Sequence, residues 1–201
     1  MRKIAVASFL SVLALGLSGG NPVRASAEIG SAGPYVAISG VMAFLLSVDE
    51  SAHDAGLDAE AGLSGGLGVR GGYRLGQWLS AEGELEWIRH EVDLSGGPVS
   101  VNVEGDTYSL TGGAKLHLVS WENGEFYASS GVGFMLFDPG EETPFTPGDE
   151  TSFVARFGAG VDIYTDGSMG VSVGATYVLP TGGLDELDYV GAQVGVFFRF
   201  E

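Results

Sequence analysis

The sequence predicts an all-β fold: an eight-stranded antiparallel up-and-down barrel of the transmembrane kind. Three features of the 201 residues lead there. Eight extended segments of similar length recur along the chain, their connections alternate between long and short, and oily and charged residues segregate onto opposite faces of the segments. The stretch "WLSAEGELEW" illustrates the third. Glu82, Glu84 and Glu86 alternate with Ala81, Gly83, Leu85 and Trp87, a period of two that only a strand turns into two unlike faces.

Before the first strand, Arg2 and Lys3 precede an apolar run, Ile4 to Leu17, and a small-residue site, Ala25-Ser26-Ala27. These are the three regions of a secretory signal peptide, and the run is shorter than the roughly 20 residues of a membrane helix. Residues 1–27 are therefore expected to be a cleaved leader and residues 28–201 the barrel domain. The chain has no cysteine, so no disulfide framework is available in an exported protein. Formal net charge is -17 over the whole chain. After cleavage six bases, Arg70, Arg74, Arg89, Lys115, Arg156 and Arg199, would face 26 acids, a net charge of -20. Nucleic acid is excluded as a partner by that charge. No other apolar stretch is long enough for a membrane helix, so a spanning chain must span with strands.

The strands are expected at about Pro34 to Leu45, Leu63 to Leu75, Trp78 to His90, Thr107 to Val119, Glu125 to Phe137, Ser152 to Tyr164, Met169 to Leu179 and Tyr189 to Phe200. The connections after the first, third, fifth and seventh are long: "LSVDESAHDAGLDAEAG", "EVDLSGGPVSVNVEGD", "DPGEETPFTPGDET" and "PTGGLDELD". Those after the second, fourth and sixth are short: "GQ", "SWENG" and "TDGS". Long loops then lie at one end and tight turns at the other. No helix is expected beyond the leader.

The first strand is apolar on both sides and does not declare its facing. From the second onward one face reads Leu67, Val69, Tyr73, Leu75, then Leu79, Leu85, Trp87, then Tyr108, Leu110, Leu116, Leu118, and so on to Val194, Val196, Phe198, Phe200. Aromatic residues gather near the ends of these rows, as interfacial girdles require. The other face holds five of the six bases mixed with acids, whereas the loops are almost purely acidic. Charge inside a narrow tube must be paired, so this face is expected to line the lumen. Glu82, Glu84 and Glu86 are expected to meet Arg70, Arg74 and Lys115, with Arg70 opposite Glu84 across a three-residue turn. Asp162, Arg156 and Arg199 are expected to form a second cluster on the far wall.

The pattern resembles the small outer-membrane barrels that include the outer-membrane protein A transmembrane domain and the outer-membrane protein X type. The likeness is carried by "GVRGGYRLGQWLSAEGELEW", "GVGFMLF", "FGAGVDIYTDGSMGVSVGATYVL" and "VGAQVGVFFRF". It implies location in the bacterial outer membrane, contact with its lipid and lipopolysaccharide, and recognition by barrel-assembly machinery through the C-terminal strand, where Val196, Phe198 and Phe200 alternate before Glu201.

No cofactor is expected. Acidic loop residues, Asp49, Glu50, Asp54, Asp58 and Glu60 first among them, could hold a divalent cation, but none has EF-hand spacing and a solvated repulsive surface is the plainer reading. For lipid-modifying chemistry His90 is the better-placed histidine, His117 lying towards the turn end, and no serine motif accompanies either. The expected role is therefore structural or surface-interacting and not enzymatic. A lipid-modifying barrel enzyme and a soluble lipocalin-like carrier are the alternatives.

Overall fold

The computed structural model describes residues 31–46, 58–61, 63–96, 99–138, 150–165 and 168–200. The leader, His53, Asp49, Glu50, Asp54 and the third long connection from 139 to 149 lie outside them. The strands are β1 Gly33–Leu45, β2 Asp58–Ala61, β3 Ser64–Arg74, β4 Leu79–Gly96, β5 Val99–Trp121, β6 Gly124–Asp138, β7 Glu150–Tyr164, β8 Met169–Pro180 and β9 Tyr189–Arg199. Every pairing is antiparallel. β1 pairs with both β3 and β9, and β4 with β5, so eight strands close into a barrel, with the short β2 added at the outer end of β4.

Two elements depart from expectation. "EVDLSGGPVSVNVEGD" is not a free loop: β4 and β5 continue as a paired hairpin to Gly96 and Val99, and β2 adds a third strand to it through Asp58↔Ser95 to Ala61↔Val92. The segment alternates valine and leucine with polar residues, a period-two signal weaker than its Gly-Gly-Pro. The fourth long connection contains a 3-10 helix, Gly182–Leu187. Neither that helix nor any other among the described residues is long and apolar enough to cross a membrane, a criterion that does not apply to strands.

Facing follows the sequence parity. Leu67, Leu85, Leu110, Phe134, Phe153, Val194 and Phe198 are exposed, whereas Arg70, Glu86, Lys115, Arg156 and Asp162 are buried. Glu84 points inward and Leu85, 54% exposed, points out, so the apolar face is outside and the soluble-carrier alternative is set aside. β1 is settled too: Ile38, Met42 and Phe44 face out, and Ala37, Val41 and Ala43 face in. A β-bulge between His117 and Val119 resets the alternation, so Val119 takes the exposed position and Leu118 becomes half-buried.

The interior is tight because glycine lines it. A Cβ at Gly113 would lie 2.0 Å from the Ser130 carbonyl oxygen, and one at Gly160 2.5 Å from the Tyr127 hydroxyl. The Tyr35 ring takes the space beside Gly72 and the Tyr127 phenol that beside Gly160 and Gly174. Gly113→Val must push backbone, and is expected to cost about 1–3 kcal/mol of stability, measured by urea unfolding in micelles.

Candidate functional site: the barrel interior

Inward residues of β3, β4, β5, β6 and β7 meet in the lumen. Register puts Arg70 opposite Glu84 and Glu82 opposite Gly72, as a three-residue turn requires. Arg70 reaches Glu82 at 3.8 Å and Glu84 at 3.5 Å, and donates to Gln193 Oε1 at 3.0 Å. Lys115 Nζ lies 2.6 Å from Asp162 and 3.9 Å from Glu82, and 4.0 Å from the Tyr127 ring centroid. The Tyr35 hydroxyl donates to Glu82. Ser172 donates to the second Asp162 oxygen at 2.7 Å.

Other partners differ from the expected ones. Arg74 does not join the three glutamates but donates to both oxygens of Glu125 at 2.8 and 2.9 Å, and Tyr164 donates to the same carboxylate at 2.7 Å. Arg156 does not cluster with Asp162: it crosses from β7 to β4 and donates to Glu84 and Glu86, each at 2.9 Å. Tyr189 caps the other Glu86 oxygen. Arg199 leaves the network for the rim, donating to Ser31 at 2.7–2.8 Å. Five acids, Glu82, Glu84, Glu86, Glu125 and Asp162, therefore face four bases, Arg70, Arg74, Lys115 and Arg156, with His117 beside them.

Sequence reasoning missed Glu125 and the tyrosines. Glu125 is fully buried. It shares parity with Ser129 on the polar face, and that was its available signal. Tyr35 sits on the strand whose facing parity could not decide. The apolar cap was missed as well. At the long-loop end Val41, Ile88, Met135, Val154, Val178 and Tyr189 fill the lumen, and Leu184 of the 3-10 helix, 4% exposed, drops into them with Leu187 beside it. The tube is thus charged in its middle and at its turn end, and oily at its outer mouth.

Two serine–histidine pairs lie within the wall. Ser64 Oγ is 2.9 Å from His90 Nδ1, and Ser80 Oγ is 2.8 Å from His117 Nε2. His117 Nδ1 stands 2.8 Å from Glu125 Oε1. A nucleophile must meet its substrate carbonyl. Ser80 and Ser64 are 0% and 1% exposed, and the cavity beside Ser80 holds about 20 Å³, the room of about one water. An acyl chain cannot enter the cavity beside Ser80. Among the described residues no group of three or more His, Asp or Glu side chains is arranged to hold a metal ion. Asp58 and Glu60 fall on β2, whose backbone alone is described.

A closed eight-stranded barrel with an oily exterior, rings of aromatics at both ends and a charged interior defines an integral β-barrel of the bacterial outer membrane. Trp87, Tyr108 and the T-shaped pair Phe134–Phe153 mark the outer ring, and Trp78, Trp121 and Phe126 the inner one. The chain belongs to the outer membrane protein beta-barrel domain family, whose model matches residues 9–200. Among solved structures it is similar to the outer membrane protein OprG from Pseudomonas aeruginosa, with a TM-score of 0.61, 14% identity and coverage of 86% of this chain and 98% of that one. It is also similar to Neisserial surface protein A, with a TM-score of 0.57, 16% identity and coverage of 85% and 99%. Outer membrane protein AlkL gives 0.54, 16% identity and coverage of 92% and 97%. No curated protein sequence matches the chain. At these identities the likeness is one of fold; membership of the family places the protein in the outer membrane.

Proposed function

We propose that this protein is a non-enzymatic structural component of the outer membrane, its lumen plugged by side chains, which displays acidic extracellular loops for surface interaction. The observation that carries the reading is the cross-lumen tie of Arg156 on β7 to Glu84 and Glu86 on β4. A side chain spanning the bore at mid-height, with Tyr189 packed above it and Arg70 and Lys115 beside it, leaves little space for a hydrated ion. An eight-stranded bore is about wide enough for side chains to fill it. Recording in planar bilayers tests this: no stable steps are expected, and large, lasting, cation-selective steps would overturn it.

The loops are the part available to partners outside the membrane. Their carboxylates and the phosphates of lipopolysaccharide repel each other unless divalent cations bridge them, so calcium is expected to give heat on calorimetric titration. Recognition by barrel-assembly machinery is assigned to the alternation Val196, Phe198, Phe200 on the last strand. A lipid-modifying enzyme is kept as second reading for one observation, the 2.9 Å Ser64–His90 pair. Acyl-chain release from lipid by the unaltered protein, abolished in His90→Ala, would establish it.

A further inference from the structure

The oily outer mouth is closed by a short element tied at both ends. Before it the Thr181 amide donates to the Phe153 carbonyl at 2.9 Å, and after it the Leu46 amide donates to the Asp188 carbonyl at 2.9 Å. Between these ties the 3-10 helix Gly182–Leu187 starts without a side-chain cap, and Gly182 takes a φ of 79°, a left-handed turn that suits glycine. Leu184 is its anchor, 4% exposed among Val41, Ile88, Met135 and Tyr189, with Leu187 packed against them.

A titratable group lies against this cap. His90 is 3% exposed, and its ring meets that of Tyr189 edge to face with centroids 6.2 Å apart. Its Nδ1 is 2.9 Å from the neutral Ser64 hydroxyl on β3, while its Nε2 is buried with no partner among the described residues. A second proton on the ring would set a charge, and an N–H without an acceptor, beside the oily cluster. Along β4 and β5 the outer wall is uncharged from Leu79 and Leu116 up to Trp87 and Tyr108, and Arg89 and Asp106 are the first charges above them. His90 follows Arg89, so it lies above the apolar band. Burial there pushes its imidazole down to about 4, against the pull of Glu86 and Asp106. Glu86 is held by Arg156 and Tyr189, and Asp106 by Arg89. The 3-10 helix carries Asp185 and Glu186, and Asp188 after it accepts from the Tyr177 hydroxyl at 3.1 Å.

We propose that the 3-10 helix is an acid-released lid on the outer mouth, with His90 as the residue that senses pH. Covered, the ring stays neutral; uncovered, it titrates at its ordinary value of about 6.5. Between that value and about 4 only the uncovered state binds the proton, so acid draws the lid open. The tie of Arg156 to Glu84 and Glu86 lies below the lid, so opening bares the oily mouth and leaves the bore plugged.

Hydrogen exchange of the unaltered barrel in micelles tests the lid, with the Thr181 and Leu46 amides as reporters. Their opening constant, corrected for the intrinsic effect of pH on exchange, is expected to rise about thirtyfold from pH 7.5 to pH 5, the ratio set by the covered and uncovered histidine. Amides in the middle of β6 and β7 are expected to keep their protection. His90→Gln cannot take up a charge, and its reporters are expected to show no such rise. Nuclear magnetic resonance of the His90 ring in the unaltered barrel is a second measure that needs no variant, and the ring is expected to be neutral at pH 5. Reporters in the unaltered barrel that ignore pH, an equal rise in His90→Gln or in β6 and β7, or a charged His90 at pH 5 would overturn the lid.

Discussion

Arg156→Ala is expected to lower the stability of the barrel by about 3–5 kcal/mol, the cost of stripping one partner from a buried ionic group. Arg156 is 5% exposed and Glu86 1%. Removing the guanidinium leaves Glu84 and Glu86 two positions apart on one strand, with no other cation within bonding reach of Glu86 among the described residues. Arg70, 3.5 Å from Glu84 Oε2, compensates one carboxylate only. Urea unfolding in micelles, followed by the fluorescence of Trp78, Trp87 and Trp121, measures the loss. The combined change Arg156→Met, Glu84→Gln and Glu86→Gln is expected to restore most of it, because desolvated charge and not packing volume dominates. A triple variant as unstable as Arg156→Ala alone would show that shape, and not charge, holds this level of the lumen together.

Glu125→Ala is expected to have a comparable effect, again about 3–5 kcal/mol, from the turn end of the tube. Its carboxylate accepts two hydrogen bonds from Arg74 and one from Tyr164, and His117 stands against it. Without it Arg74 keeps only the Gly76 and Gln77 carbonyls and the Tyr164 hydroxyl. Glu125→Gln retains an acceptor and the volume, and is expected to lose less than Glu125→Ala. By contrast Arg89→Gln breaks a pair whose arginine is half exposed, where water screens the charges, and is expected to cost no more than about 1 kcal/mol. The ordering of the three variants therefore reports burial. Equal losses from Arg89→Gln and Glu125→Ala would contradict the inward assignment of Glu125.

The barrel itself was legible because its signals are local. Parity along a strand decides which face a side chain takes, and a short turn decides its neighbour on the next strand. Arg70 opposite Glu84 needed nothing more than the turn "GQW". Partners across the bore were not legible, since they depend on strand tilt and stagger around the whole closure. Arg156 thus reaches Glu86 from 70 residues away, while Asp162, on its own strand, pairs with Lys115 instead. Arg199 was assigned inward by parity alone, but at a strand terminus parity does not decide depth, and it turned to Ser31 at the rim. The oily outer mouth was hidden for another reason. Ile88, Met135 and Val154 share parity with charged residues and Val178 with Ser172 and Thr176, so each is an apolar exception on its strand, and only closure shows that they meet.

The hairpin of β4 and β5 continues past the level of Arg89 and Asp106 for the seven residues 99–105, a rise of about 20 Å along the strand. At its root β5 still pairs with β6 at Asp106↔Asp138, so the projection is anchored in the same sheet that crosses the bilayer. A short turn would end level with the rim, whereas a paired ribbon of this height carries its far end well beyond it. Anything approaching this end of the barrel would meet the paired residues Gly96 and Val99 before it met the wall that crosses the bilayer.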